Sequence, residues 1–367
     1  HVYSDTGAVI AATTTSIPEA LGTERTWDYR YCWLRDAAFI VEALRRLSHL
    51  GEGEAFVRFL RNVAESGPLQ PVYGVGGERD LTEHRLEHLA GFAGNGHVRI
   101  GNAAYLQKQN DLTGELILCL ETTMSDERIV WENPTRLLHL VERLVEDAIE
   151  SAPTMDTGIW EFRTKLRHYT FSKVLGWVAA TRGARLARRH ERTSLADRWE
   201  QWAEAQHADL LNRSYNDKLG YFTQALDGEH PDAANLLFPT VGFVDPGDPR
   251  FISTVRRYEE LLVSGGLMQR YRNPDDFGET TSAFTICSFW WAEALAMMGE
   301  LERAIEVFNR IVAYANPLGL FSEDVDPATG LLTGNFPQAY THVGLIHAAI
   351  TIGELLEARA ARFRAWS

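Results

Sequence analysis

Apolar residues recur at i, i+3, i+4 and i+7 through most long segments of this 367-residue chain, and strand-like alternation is sparse. The period predicts an all-α protein with helices over 35–49, 53–65, 106–123, 134–151, 169–190, 194–212, 251–264, 282–298, 300–315 and 338–360. Asn133 followed by Pro134 reads as an N-cap with proline at the first helical position, and Gly299 stands where a glycine ends a helix. The helices follow one another in pairs, which predicts a helical toroid. Between them run polar, aromatic loops at 67–104, 152–168, 213–250, 265–281 and 316–337. Loops of that length in a compact protein are usually functional. No composition break or Pro/Ser linker divides the chain, so a single domain over 1–367 is expected, with its site built from loops at one end.

A chain this long exceeds the size at which one ordinary core stops growing, about 250–300 residues, so by length alone it is one large repetitive domain or two ordinary ones. With 45% hydrophobic and 23% charged residues it carries the composition of a folded protein rather than a disordered one. A formal net charge of -14 repels nucleic-acid backbones and anionic membranes, leaving neutral or cationic ligands. The basic cluster Arg182, Arg185, Arg189 and Arg192 has helical spacing and reads as a solvated helix face. Cys32, Cys119 and Cys287 form no CxxC pair and read as buried free thiols. No charged leader with an apolar run opens the chain, and no uncharged apolar stretch of about 18 residues occurs, so a cytoplasmic, non-membrane location is the expectation.

Two motifs are decoys. "HRLEH" at 84–88 matches H-x-x-E-H, which on a helix would aim His84 and His88 at zinc with Glu87 as base. It sits in a glycine-bounded loop with no third ligand in view, so no metal is expected. "YGVGGE" at 73–78 is neither a dinucleotide nor a phosphate loop and reads as a turn. No serine occupies a G-x-S-x-G elbow, which leaves covalent acyl transfer without a nucleophile.

What remains is carboxylates among aromatics. "TERTWDYRYCWLRDAAF" gathers Trp27, Tyr29, Tyr31 and Trp33 around Asp28 and Asp36 at a helix start; Glu161 lies in "DTGIWEFR", Glu279 in "DDFGETT" and Glu323 in "GLFSEDVDP". A pyranose offers C–H faces that stack on indole or phenol rings and hydroxyls that Arg and Asp hold. Cutting its glycosidic bond takes one carboxylic acid to protonate the leaving oxygen and one carboxylate acting from the other side. Beside Trp160, Glu161 suits the acid, because an adjacent indole and partial burial raise a carboxyl pKa; it equally reads as an ordinary helix-start glutamate. Glu323, ahead of Asp324 and Asp326, reads as a base in a polar, partly solvated setting or as a surface acidic turn.

These stretches, together with "GERDLTEHRLEHLAGFAGNGHVRIGNAAYLQKQNDLTGE", "SAFTICSFWWAEALA" and "GLFSEDVDPATGLLTGNFPQAYTHVGLIHAA", resemble the glucoamylase and trehalase family, glycoside hydrolase family 15, in its bacterial branch. They occur in the family's order from about residue 12 to about 350. The resemblance implies an (α/α)6 barrel and inverting, exo-acting hydrolysis of α-glucosides without a cofactor. It makes Glu161 the general acid and Glu323 the general base, and places Tyr29 near the attacking water. Arg35 and Asp36 of "WLRD", with Trp33 beside them, and Arg270 of the Arg-Tyr pair Arg270-Tyr271 are then expected on the terminal glucose, with Trp160 lining the pocket. Read without the family, Arg35 and Asp36 are also an ion pair capping a helix. Glu279, in "RNPDDFGETTS", stays a weak pocket candidate.

Bacterial relatives usually carry a β-sandwich ahead of the barrel, whereas this chain starts almost at the first barrel motif. The expectation is therefore a small substrate, an isomaltose or short maltooligosaccharide, with α,α-trehalose as the alternative within the family. A catalytically silent sugar-binding protein is the alternative of another class. A terpenoid-cyclase-like toroid lacks its aspartate-rich metal motifs here.

Overall fold

The computed structural model describes residues 1–366. Its helices are α1 (Leu34–Arg46), α2 (Leu50–Glu65), α3 (Leu112–Ser125), α4 (Pro134–Ser151), α5 (Thr170–Arg189), α6 (Thr193–Ser214), α7 (Phe238–Val241), α8 (Pro249–Leu262), α9 (Thr285–Met297), α10 (Leu301–Val312) and α11 (Ala339–Trp366). Short strand pairs and one three-stranded piece stitch the loops.

Two kinds of helix divide the layers. In α9, "TICSFWWAEALAM", Thr285 to Ala296 are all buried, the signature of a helix surrounded by protein. In α10 only one stripe is buried, Leu301, Ala304, Val307 and Ile311, the signature of a helix with one wet face. The inner ring runs α1, α3, α5, the short 233–241 element, α9 and α11, and closes by α11 packing on α1. Helices α2, α4, α6, α8 and α10 lie outside it. This is the expected (α/α)6 barrel.

The caps explain where several helices stop and start. The Asn133 side chain accepts the Arg136 amide at 3.1 Å and Pro134 takes the first turn of α4. Past α9, Gly299 adopts a positive φ of 87°, and the Gly299 and Glu300 amides return to the Ala296 and Leu295 carbonyls.

Two expectations need correction. The helix expected at 106–123 begins only at Leu112. Asn102 caps a 3-10 turn at Ala103–Leu106, after which Gln107 leaves the helical region. The loop expected over 213–250 hides the sixth inner element: Asp232 caps the 3-10 turn Ala233–Leu237, which runs into α7. Too short to show a helical period, it is held by burial of Leu236, Leu237 and Phe238. Of the basic cluster, Arg182 turns inward and donates to the Val241 carbonyl at 3.2 Å, while Arg185, Arg189 and Arg192 are exposed. The three cysteines are buried and unpaired. No helix among the described residues is long and apolar enough to cross a membrane.

Candidate active site

Each of the site-bearing loops runs directly into the start of an inner element. Trp33, Arg35 and Asp36 open α1; Gln107 and Gln109 precede α3, Glu161 precedes α5, and Asp232 precedes the 233–241 turn; Arg270 and Tyr271 precede α9, and Glu323 precedes α11. The positive ends of the inner helices therefore meet at one end of the barrel, a setting that favours carboxylates and sugar oxygens. There they surround a cavity of about 90 Å³. Nine of the residues singled out from the sequence line it: Tyr29, Trp33, Arg35 and Asp36 on one side, Trp160, Glu161, Arg270, Tyr271 and Glu323 on the others. Asp28 is instead buried outside it, paired with Arg30 at 2.8 Å, and Glu279 is exposed and outside the lining.

Glu161 sits on a turn built by its neighbours. The Asp156 carboxylate accepts from Asn110 N–H at 3.0 Å, Gly158 N–H at 3.2 Å and the Ser172 hydroxyl at 2.7 Å. Glu161 itself takes φ +60°, rare for a side-chain-bearing residue. Phe162 locks the turn by stacking on Tyr169, with ring centroids 5.1 Å apart. The Glu161 Oε1 then accepts from the Trp33 indole at 2.7 Å, Gln109 at 3.1 Å and both Arg35 terminal nitrogens at 3.3 and 3.4 Å.

This corrects one expectation. The indole at the Glu161 carboxyl is that of Trp33, and it offers an N–H rather than an apolar face. Trp160 points its own N–H at Asp232, at 2.8 and 2.9 Å, and packs against Trp290, Phe284 and Tyr271.

Glu323 is neither partly solvated nor on a surface turn; only 1% of it is exposed. Its Oε1 accepts from the Tyr29 hydroxyl at 2.6 Å and its Oε2 from the Asn335 amide at 3.2 Å. Burial pushes its carboxyl well above the usual range, and the Glu19 and Asp324 carboxyls push the same way, while Tyr29 and Arg270 oppose them. Burial likewise holds the Tyr29 phenol well up, so it stays a donor. Gly334, at φ +71°, passes so close that a Cβ there would lie 2.7 Å from Glu323 Oε2. The backbone beside this carboxylate is thus closed to any side chain.

Asp36 accepts from Arg35 Nε at 3.0 Å, and burial raises its carboxyl while Arg35 opposes. Sequence reasoning passed over a second tier. Arg270 is held by Glu19, which also accepts the Trp27 indole N–H at 2.7 Å. Arg25 forks onto Asp275 at 2.6 and 2.7 Å, and the Tyr271 hydroxyl donates to the same carboxylate at 2.7 Å. Glu19, Arg25, Gln109 and Asp275 lie in aperiodic loops, and the only signal for them was the density of charge among aromatics. The "HRLEH" segment is extended at His84–Arg85, so His84 and His88 share no helix face.

Comparison with known proteins agrees with this architecture. A family model described as glycosyl hydrolases family 15 matches residues 1–350. A protein named trehalase from Mycobacterium tuberculosis (strain ATCC 25618 / H37Rv) is 42% identical over 358 residues, covering 95% of this chain and 52% of its own length. Another trehalase, from Thermoplasma acidophilum, is 33% identical, covering 98% of this chain and 62% of itself. The chain thus spans about half to two-thirds of the length of the curated relatives it matches. Among solved structures, a bacterial glucoamylase complexed with acarbose superposes with a TM-score of 0.70 at 15% identity, covering 96% of this chain and 53% of that one. A glucoamylase from Saccharomycopsis fibuligera superposes with a TM-score of 0.70 at 12% identity, covering 95% and 89%. With a matching family model over nearly the whole chain and the same barrel in its neighbours, the chain belongs to glycosyl hydrolases family 15.

Proposed function

We propose that residues 1–367 form one catalytic domain that hydrolyses α,α-trehalose with inversion, releasing β-glucose from the residue held at the floor of the cavity. The observation that supports it most is the contrast between two carboxylates in one pocket. Glu161 is held through one oxygen by Trp33, Gln109 and Arg35, while Glu323 is buried against Tyr29. In this reading Glu161 protonates the glycosidic oxygen. Glu323 takes a proton from a water that the Tyr29 hydroxyl helps to place, and Arg35, Asp36 and Arg270 hold the sugar hydroxyls. Trp33, Trp160 and Tyr271 supply the walls. Inversion requires the two carboxyl groups to stand about 6.5–9.5 Å apart so that a water fits between Glu323 and the sugar.

Trehalose moves ahead of isomaltose and maltooligosaccharides because relatives named trehalase are 32–42% identical over nearly the whole chain. The glucoamylase likenesses, at 12–15% identity, speak for the fold alone. The test is a substrate panel of trehalose, maltose, isomaltose and maltotriose. Trehalose is expected to be cut with the highest kcat/KM; a higher value on maltose or isomaltose would replace it. Glu161→Gln and Glu323→Gln should each lower kcat on the preferred sugar by about 10²–10⁴, and near-normal turnover by both would end the assignment.

A further inference from the structure

Beneath the sugar pocket the barrel axis opens again from the far end. A second cavity of about 260 Å³ lies among the inner helices, reaching from Phe39 and Glu115 to Glu42, Glu293 and His347. Tyr340 lines both this cavity and the sugar pocket. Its ring lies 5.6 Å from Phe39 and 6.0 Å from Trp290, and Trp290 in turn lies 6.1 Å from Trp160 of the pocket wall. One aromatic layer therefore separates the two spaces.

Polar groups interrupt that layer. The Tyr340 hydroxyl is buried and meets no hydrogen-bonding partner in the protein, and the buried carboxyls of Glu115 and of Asp111, the N-cap residue one turn earlier, are left to meet each other. Glu115 is 1% exposed. Orphan polar groups in an interior are costly, and several in one layer call for a functional account or for water. The charged groups facing Glu115 are Arg35 and Asp36 from α1 and Asp111 from the N-cap of α3; Tyr340 faces it from α11. Arg35 also bonds Glu161, at 3.3 Å, and the Glu161 charge acts on Asp36. Farther out, His347 Nε2 is again buried without a partner, and Glu293 accepts from Thr351 at 2.9 Å.

The reaction proposed above leaves a task for such a path. In each turnover the water loses a proton to Glu323 as its oxygen bonds to the anomeric carbon, and Glu161 gives its proton to the leaving oxygen. The protein is left with a protonated Glu323 and an ionised Glu161; one proton must leave and one must return before the next cycle, with no net gain. The pocket mouth is occupied by product glucose at that moment.

We propose that Glu115 and Tyr340 form a proton-exchange path through the barrel axis, by way of Asp36, that resupplies Glu161 from the far-end cavity while product still fills the pocket. This rests on the hydrolytic reading above. Burial and the Asp111 carboxyl hold the Glu115 carboxyl well above the usual range, and burial with the Asp156 carboxyl pushes Asp111 itself up to about 7. Glu115 and Tyr340 are positioning residues; neither touches the scissile bond.

The experiment compares the parent chain with Glu115→Gln and Tyr340→Phe for β-glucose release from trehalose, in H2O and D2O, across pH. Each variant is expected to lose about tenfold in kcat, less than removal of the acid itself, with KM unchanged, a larger solvent isotope effect and a shifted pH profile. The thermal midpoint should hold or rise in Tyr340→Phe, because that change removes an orphan hydroxyl. Parent-like kcat, isotope effect and pH profile in both variants would overturn the path and leave the hydrolytic reading intact. A parent silent on every glucoside would overturn both. Should Glu115→Gln fail to fold, Tyr340→Phe alone decides. An activity-free readout is the infrared band of a buried protonated carboxyl. One component of it should be lost in Glu115→Gln, and in the parent that component should exchange in D2O with the pocket saturated by glucose; exchange only on global unfolding would contradict the path.

Discussion

At the scale of single residues, the Tyr29 hydroxyl on Glu323 is the contact with the clearest consequence. A base must be ionised, and burial works against that form at Glu323 while the Tyr29 hydrogen bond works for it. The acidic limb of kcat/KM is therefore expected above the ordinary carboxylate range. Tyr29→Phe should move that limb to still higher pH, because the donor favouring the ionised form is gone. A limb that stays put, or moves down, would take Glu323 out of the base role. Much of this site was legible because aromatic and charged residues crowd into short stretches: Trp33, Arg35 and Asp36 announce themselves in "YCWLRDAAF". Glu19 did not. It is one of 50 acidic residues, follows a proline in an aperiodic loop, and gains its meaning only when Arg270, 251 positions away, folds against it.

Among elements, the 233–241 segment carries the most information, since it is the inner-ring member that periodicity missed. Its cap, Asp232, is buried with its carboxyl pushed up to about 6, burial being the main cause and the Ala234 amide and Trp160 indole opposing. A raised carboxyl favours the folded state in its protonated form. Its contribution is complete below about pH 4 and is lost as the pH rises through about 6. A rise of that size, from an ordinary aspartate to about 6, corresponds to about 3 kcal/mol. Asp232→Asn is thus expected to flatten the dependence of stability on pH between roughly 4 and 7, measured by denaturant unfolding; an unchanged slope would remove Asp232 as its source. The long helices were readable because the outer ones bury one stripe and repeat it. Strand pairs two residues long, such as Cys32–Trp33 with Val72–Tyr73, have no pattern to read; backbone pairing across the barrel rim sets them.

For the whole molecule, the ring is closed by loops as well as by helices. The Ala339 amide donates to the Ala11 carbonyl at 2.8 Å, the Gly334 amide to Pro18 at 2.7 Å, and Arg25 forks onto Asp275 across 250 positions of sequence. These long-range ties hold Tyr29 against Glu323 and so make the pocket a property of the closed barrel. Arg25→Ala leaves a buried Asp275 without its cation, and about 3–5 kcal/mol of stability should go with it. Unfolding within about 1 kcal/mol of the parent would show the tie to be dispensable. No local pattern in the sequence could reveal this closure, because each partner pair is separated by most of the chain.

The central claim is that Glu161 and Glu323 act from opposite faces of a glucose held at the barrel's helix-start end. Time-resolved proton NMR of trehalose hydrolysis tests it most directly, by reading which anomer of glucose appears before mutarotation. Trehalose carries two α-linked glucoses, and inversion at one of them predicts early β-glucose and α-glucose in equal amounts. Release of α-glucose alone would mean retention and would contradict the roles given to both carboxylates.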